Sequence, residues 1–118
     1  MAGHSVITYK GKEISYIDYR GMKLEEIIKL IDEMEKRALQ ENKRRLQLTN
    51  LEGVFAVPEF MNRVKEAGKK TRHLTIKSAV VGVSGTKRLL VNTYNLFTGA
   101  NMKAFDDEAS AKEWLVEE

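Results

Sequence analysis

The spacing of apolar positions changes several times along the chain, and each change marks an element. Val6-Ile7-Thr8-Tyr9 predicts a short strand, and Ile14-Ser15-Tyr16-Ile17-Asp18-Tyr19 a second one with alternating faces. Lys10-Gly11-Lys12 between them leaves room only for an antiparallel hairpin. From Leu24 the period lengthens. Leu24, Ile27, Ile28, Ile31, Met34 and Ala38 share one helical face, and Glu25 with Lys29, Asp32 with Lys36 and Glu33 with Arg37 form acid-first pairs four residues apart. Asn42-Lys43 ends that helix. Arg45-Leu46-Gln47-Leu48-Thr49-Asn50 predicts a third strand. Pro58, the only proline, suits the first turn of a helix, where a missing N–H costs nothing. Phe60, Met61, Val64 and Ala67 continue that helix, with Gly68 near its end.

Ile76-Lys77-Ser78-Ala79-Val80-Val81-Gly82-Val83 is the most apolar stretch and predicts a strand buried on both faces, as in a parallel sheet. Ser84-Gly85-Thr86 then turns the chain into a helix expected to face Leu89, Leu90, Thr93, Tyr94 and Phe97 inward, with Gly99 just past its end. Met102-Lys103-Ala104-Phe105 predicts the fifth strand. Asp106 or Asp107 is expected to cap a last helix carrying Ala111, Trp114 and Leu115. The order is β-β-α-β-α-β-α-β-α. It predicts an α/β fold with a mixed, mostly parallel five-stranded sheet, right-handed crossovers and an antiparallel first strand at one edge.

Composition narrows the class. A chain of 118 residues fits one domain, here taken as residues 1–118, and 42% hydrophobic with 31% charged residues is ordinary globular usage. No apolar run approaches a membrane span, and Met1-Ala2-Gly3-His4-Ser5 has no signal-peptide character, so a cytoplasmic address is the default expectation. The absence of cysteine excludes disulfides, thiolate metal sites and a cysteine nucleophile. The net charge of +3 is unevenly spread: residues 1–35 carry −2, residues 36–90 carry +9 and residues 91–118 carry −4. A basic middle between acidic ends can bind anions or a second copy of itself.

Two stretches carry a family likeness. Ala79-Val80-Val81-Gly82-Val83-Ser84-Gly85 joins the fourth strand to the third helix, and Met102-Lys103-Ala104-Phe105-Asp106-Asp107-Glu108-Ala109 is followed by Trp114-Leu115. With this element order, they resemble the STAS-like superfamily, which includes the anti-sigma-factor antagonists and the cytoplasmic domains of sulphate transporters. The chain looks most like the small stand-alone members. The resemblance implies a non-enzymatic regulatory module that works through a protein partner and through self-association, as a dimer. In the antagonists a phosphorylatable serine opens the helix after strand three. The matching segment here, Gly53-Val54-Phe55-Ala56-Val57-Pro58-Glu59, contains no Ser or Thr, so it offers no hydroxyl to a kinase. Thr49, just upstream, reads as a strand residue.

Candidate chemistry is sparse. Gly82-Val83-Ser84-Gly85-Thr86 approaches a nucleophile elbow, but Thr86 stands where the second glycine belongs. The two histidines are poor bases for it: His4 lies in a segment expected to fray, and His73 follows a basic run. No catalytic residue, metal site or cofactor is therefore expected. The alternative to an interaction module is a small-molecule binder. It would hold an anionic or amphipathic ligand at the helix start formed by Ser84, Gly85, Thr86, Lys87 and Arg88, where backbone N–H groups carry partial positive charge. The simpler reading makes Ser84 an N-cap. Lys43-Arg44-Arg45 and the run of Lys65, Lys69, Lys70 and Arg72 lack interleaved aromatics, so a nucleic-acid face is not expected. Tyr94, Phe97, Phe55 and Phe60 read as core rather than as a pocket lining. The working surface is expected where Gly53, Val54, Phe55, Ala56, Val57 and Pro58 meet the 84–88 turn, at the carboxyl ends of the parallel strands.

Overall fold

The computed structural model describes residues 3–85 and 87–117. The elements run β1 (Gly3–Tyr9), β2 (Lys12–Asp18), α1 (Leu24–Glu41), β3 (Arg45–Asn50), α2 (Pro58–Thr71), a 3-10 turn (Arg72–Leu74), β4 (Thr75–Val81), α3 (Lys87–Thr98), β5 (Lys103–Phe105) and α4 (Glu108–Val116). The strands lie in chain order across one five-stranded sheet. β1 is antiparallel to β2 and occupies an edge; every other pairing is parallel. The sequence-derived order and strand directions therefore hold.

Strand order has a consequence for layering. Each right-handed crossover advances one strand in the same direction, so α1, α2 and α3 all fall on one face of the sheet. Ile17 of β2 and Tyr19 just past its end pack there against Ile27 and Ile31 of α1 and Phe60 of α2. The opposite face is left to α4, whose Ala111 and Leu115 seal a second cluster of Ile14, Leu46, Leu48, Ala79 and Val81. Lys77 fastens α4 by donating from Nζ to the carbonyls of Trp114 and Glu117, each at 2.8 Å, which caps orphan C-terminal acceptors.

Local chemistry explains the boundaries. Glu26 accepts from the Lys23 backbone N–H at 2.8 Å at the start of α1, and Asn42 closes it in the left-handed region, its N–H donating to Ala38. Pro58 opens α2 as expected. Asp107, not Asp106, caps α4 by accepting from Ser110 N at 2.7 Å. Arg63 of α2 grips Asp32 and Glu35 of α1 at 2.8 and 3.0 Å, holding the two helices together.

Three expectations need correction. Leu89, Thr93 and Phe97 are exposed, Leu89 and Phe97 at 65% and 50%, while Leu90 and Tyr94 face inward as expected and Val91 joins them. Helical periodicity fits either phase there, because α3 carries apolar residues on both sides. Phe97 lies beneath the ammonium groups of Lys65 and Lys69, 5.4 and 5.3 Å from its ring centre. Phe55, read as core, is 84% exposed; of the four aromatics only Phe60 is buried in the core and only Tyr94 lies beside it in the layer. His4 is not frayed: it sits in β1 with its Nε2 2.7 Å from Ser15 Oγ.

Candidate functional site

At the carboxyl ends of the parallel strands the chain makes two loops, residues 51–57 and residues 82–85. The backbone joins them directly, since Leu51 N donates to the Val81 carbonyl at 2.9 Å. Gly82, at φ +84°, lies so close to the first loop that a Cβ built on it would stand 2.2 Å from Glu52 N. Only glycine combines that backbone angle with that contact. The common direction of the crossovers also means that no strand-order reversal opens a crevice between the loops. They form a continuous rim instead.

The first loop is held from below and bare above. Val54 N donates to the Leu51 carbonyl at 3.0 Å, with Gly53 at φ +75° inside the turn, and the Val54 side chain is buried in the three-helix layer. Phe55 projects outward, Ala56 is half-buried, Val57 is exposed, and Pro58 begins α2. Asn50 stiffens the base, accepting from Glu52 N at 3.0 Å through Oδ1 and donating through Nδ2 to Glu108 Oε2 at 2.8 Å. Tyr16 donates to the same Glu108 oxygen. This Tyr16, Asn50 and Glu108 cluster ties the rim to α4, and sequence spacing held no hint of it, because its members lie 92 and 58 residues from Glu108 along the chain.

In the second loop the Ser84 carbonyl accepts from Lys87 N, the first described residue of α3, at 3.2 Å. Gly85, at φ +57°, accepts from Arg88 N. Ser84 and Gly85 are exposed, Lys87 is half-buried, and Thr86 lies outside the described residues. Arg88 is engaged with Asp106 at 2.9 Å. Both histidines are elsewhere: His4 is bonded to Ser15, and His73 precedes β4 at the opposite end from Ser84. The basic runs are likewise partnered in part, Arg45 with Glu41, Lys43 with Glu13, and Lys70 with Glu35 and Glu66.

Asp18 marks the end of β2 beside the rim. It is 3% exposed, accepts from Arg20 N at 3.0 Å, and takes both Nε and Nη2 of the Arg20 guanidinium at 2.9 Å. That guanidinium holds the carboxyl below its ordinary range. His4 is also pushed down, first by burial and then by Arg37 and Arg45. The signs agree. For each group the unfolded chain binds the proton more readily than the fold does, so stability climbs with pH between the folded and unfolded values. The protein should therefore lose stability as pH falls below about 6.5, where His4 protonates in the unfolded chain, and again below about 3.9 through Asp18. Urea midpoints measured across pH 3 to 8 check this. His4→Gln should flatten the first decline and Asp18→Asn the second.

A sheet of this order, covered by three helices on one face and one on the other, defines a STAS-like α/β domain. The SpoIIAA-like family model matches residues 12–116, and the chain belongs to that family. In fold it is similar to an anti-sigma-factor antagonist (STAS) domain protein from Planctomyces limnophilus. The TM-score is 0.63 with 16% identity, over 98% of this chain and 100% of that one. No curated protein matches the chain. No helix among the described residues is long and apolar enough to cross a membrane.

Proposed function

We propose that this domain is a non-enzymatic regulatory module that binds a protein partner through the rim formed by the 51–57 loop and the 84–88 turn. The observation that carries this reading is Phe55. A large aromatic side chain 84% exposed at the tip of a loop whose base is anchored by buried Val54 is poor for solubility and good for docking. Val57 adds apolar surface beside it, and Leu89 emerges in the first turn of α3. Membership of the SpoIIAA-like family supports a regulatory, protein-binding role. Phosphorylation at the start of α2 is not part of this mechanism, because residues 53–59 hold no hydroxyl side chain.

The test uses the purified chain as bait, with the partner identified by mass spectrometry and then titrated in pure form by calorimetry. Phe55→Asp should weaken binding at least tenfold while leaving the melting temperature within a degree or two, since an exposed loop residue adds little to stability. Leu96→Asp, at an equally exposed position far along α3, should bind normally. A Phe55→Asp chain that binds as well as the parent would remove the rim from consideration.

Self-association belongs to the same proposal. β1 is a seven-residue edge strand with one ladder side open, and Val6 on it is exposed. Light scattering at micromolar concentration should return twice the monomer mass. A mass that stays monomeric up to millimolar concentration would rule the dimer out.

A further inference from the structure

Between the sheet and its three-helix layer lies a cavity of about 320 Å³, within the size range of small-molecule sites. Its floor is unusual for the covered face of a largely parallel sheet, where near-continuous Val, Ile and Leu are the rule. Parallel register sets Ser15 of β2 beside Gln47 of β3, and Gln47 beside Ser78 of β4, so three polar side chains cross the middle of the sheet in one row. His4 extends the row through its contact with Ser15. One step toward the carboxyl ends the row is Ile17, Thr49 and Val80, with Phe60 among the side chains that enclose it. Two residues the other way on β3 lies Arg45. The floor thus grades from polar and basic at one end to mainly apolar at the other.

The polar end is incompletely satisfied. Ser78 is 6% exposed, and its Oγ finds no hydrogen-bond partner on the protein. Arg45 Nε is buried and equally unpartnered, although its Nη2 holds Glu41 at 2.8 Å. Buried donors without acceptors oppose folding, and natural chains retain few of them without a reason. Both donors line the same cavity on neighbouring strands. Arg37, which also lines it, approaches His4 Nδ1 at 3.3 Å. Glu35, which also lines the cavity, is engaged by Arg63 and Lys70, and Glu41, outside the lining, by Arg45. An acceptor carrying negative charge answers this end, and a hydrocarbon body answers the other.

We propose that the cavity is a binding site for a small amphipathic acid. Its carboxylate accepts from Ser78 Oγ and Arg45 Nε, and its apolar chain lies over Ile17 and Val80 against Phe60. The cavity reaches the rim through Val54, Ala56 and Lys87, but Ser78 and Arg45 lie toward its other end, and its test does not depend on a protein partner. The full-length chain is titrated calorimetrically with decanoate below its micellar concentration, and with decanol as the neutral counterpart. Decanoate should bind one to one and saturably, with decanol at least tenfold weaker. Amide shifts should centre on Ser15, Gln47 and Ser78. Ser78→Ala and Arg45→Gln should each weaken decanoate at least fivefold. Ser78→Ala should also melt no lower than the parent, because the deleted hydroxyl has no partner to lose. Four results overturn the proposal: no saturable decanoate binding, decanol binding as tightly, shifts confined to the outer face of α3, or a Ser78→Ala chain that melts lower, which would make that hydroxyl a structural hydrogen-bonding group.

Discussion

Gly82→Ala is expected to destabilise the domain by roughly 4 kcal/mol, adding left-handed strain of about 1–3 kcal/mol to an overpacking cost of about 1–3 kcal/mol. Both causes act at one atom. At φ +84° an L side chain is strained wherever it points, and here the Cβ would meet Glu52 N at 2.2 Å, Glu52 Cα at 2.6 Å and the Leu51 carbonyl carbon at 2.8 Å. All three are backbone atoms, which cannot rotate away. Relief requires the 51–57 loop to lift, breaking the Leu51 N to Val81 O bond that joins the loops. Chemical denaturation should show a large fall in midpoint with little change in slope. Gly68→Ala is the useful contrast. Its Cβ would stand 2.1 Å from Tyr94 Oη, the tip of a side chain on α3, so the helix can shift and the cost should be smaller. Gly53→Ala, at φ +75° with open space around it, should show the strain alone. If Gly82→Ala is no worse than Gly53→Ala, the close approach of the two loops is not what demands glycine.

Phe60→Ala should cost a similar amount, about 3–5 kcal/mol, the usual range for emptying a buried phenylalanine site. Phe60 is 2% exposed and meets Tyr19 edge to face, with ring centres 5.7 Å apart. That pairing adds about 0.5–1.5 kcal/mol beyond area burial. The side chain lines the cavity, so truncation joins new empty volume to space already present, and the surrounding helices have little means to close it. Phe60→Leu retains most of the volume and should lose only about 1–2 kcal/mol, in line with swaps between large apolar side chains. Thermal melts of the two variants beside the parent check the ranking. Equal losses would mean that ring geometry, rather than filled volume, governs this site. Against a total stability of about 5–15 kcal/mol for a domain of this kind, either the Gly82→Ala or the Phe60→Ala substitution leaves a marginal fold, and both together should abolish it.

The sequence-based reading succeeded where a local rule sufficed. Hairpin spacing between Tyr9 and Lys12, the long amphipathic stretch from Leu24, and Pro58 at a helix start each have one physical solution, and the structure adopts it. It failed on α3, where Leu89, Leu90, Leu96 and Phe97 make a helix apolar on more than one side, and periodicity cannot choose the buried one. It also placed Phe55 inside because aromatic character alone suggests burial. The loop's own turn, anchored by Val54, aims Phe55 the other way.

Residue order by itself determined the element sequence, the parallel pairing and the missing hydroxyl at the start of α2, since each follows from spacing within a dozen residues or from identity at one position. Only the tertiary structure decided that Ser15, Gln47 and Ser78 form one row, that Glu108 closes on Tyr16 and Asn50, and that Gly82 must be glycine. These depend on register between strands and on the shared direction of the crossovers. Such contacts join residues roughly 30 to 90 positions apart, beyond the reach of any local periodicity.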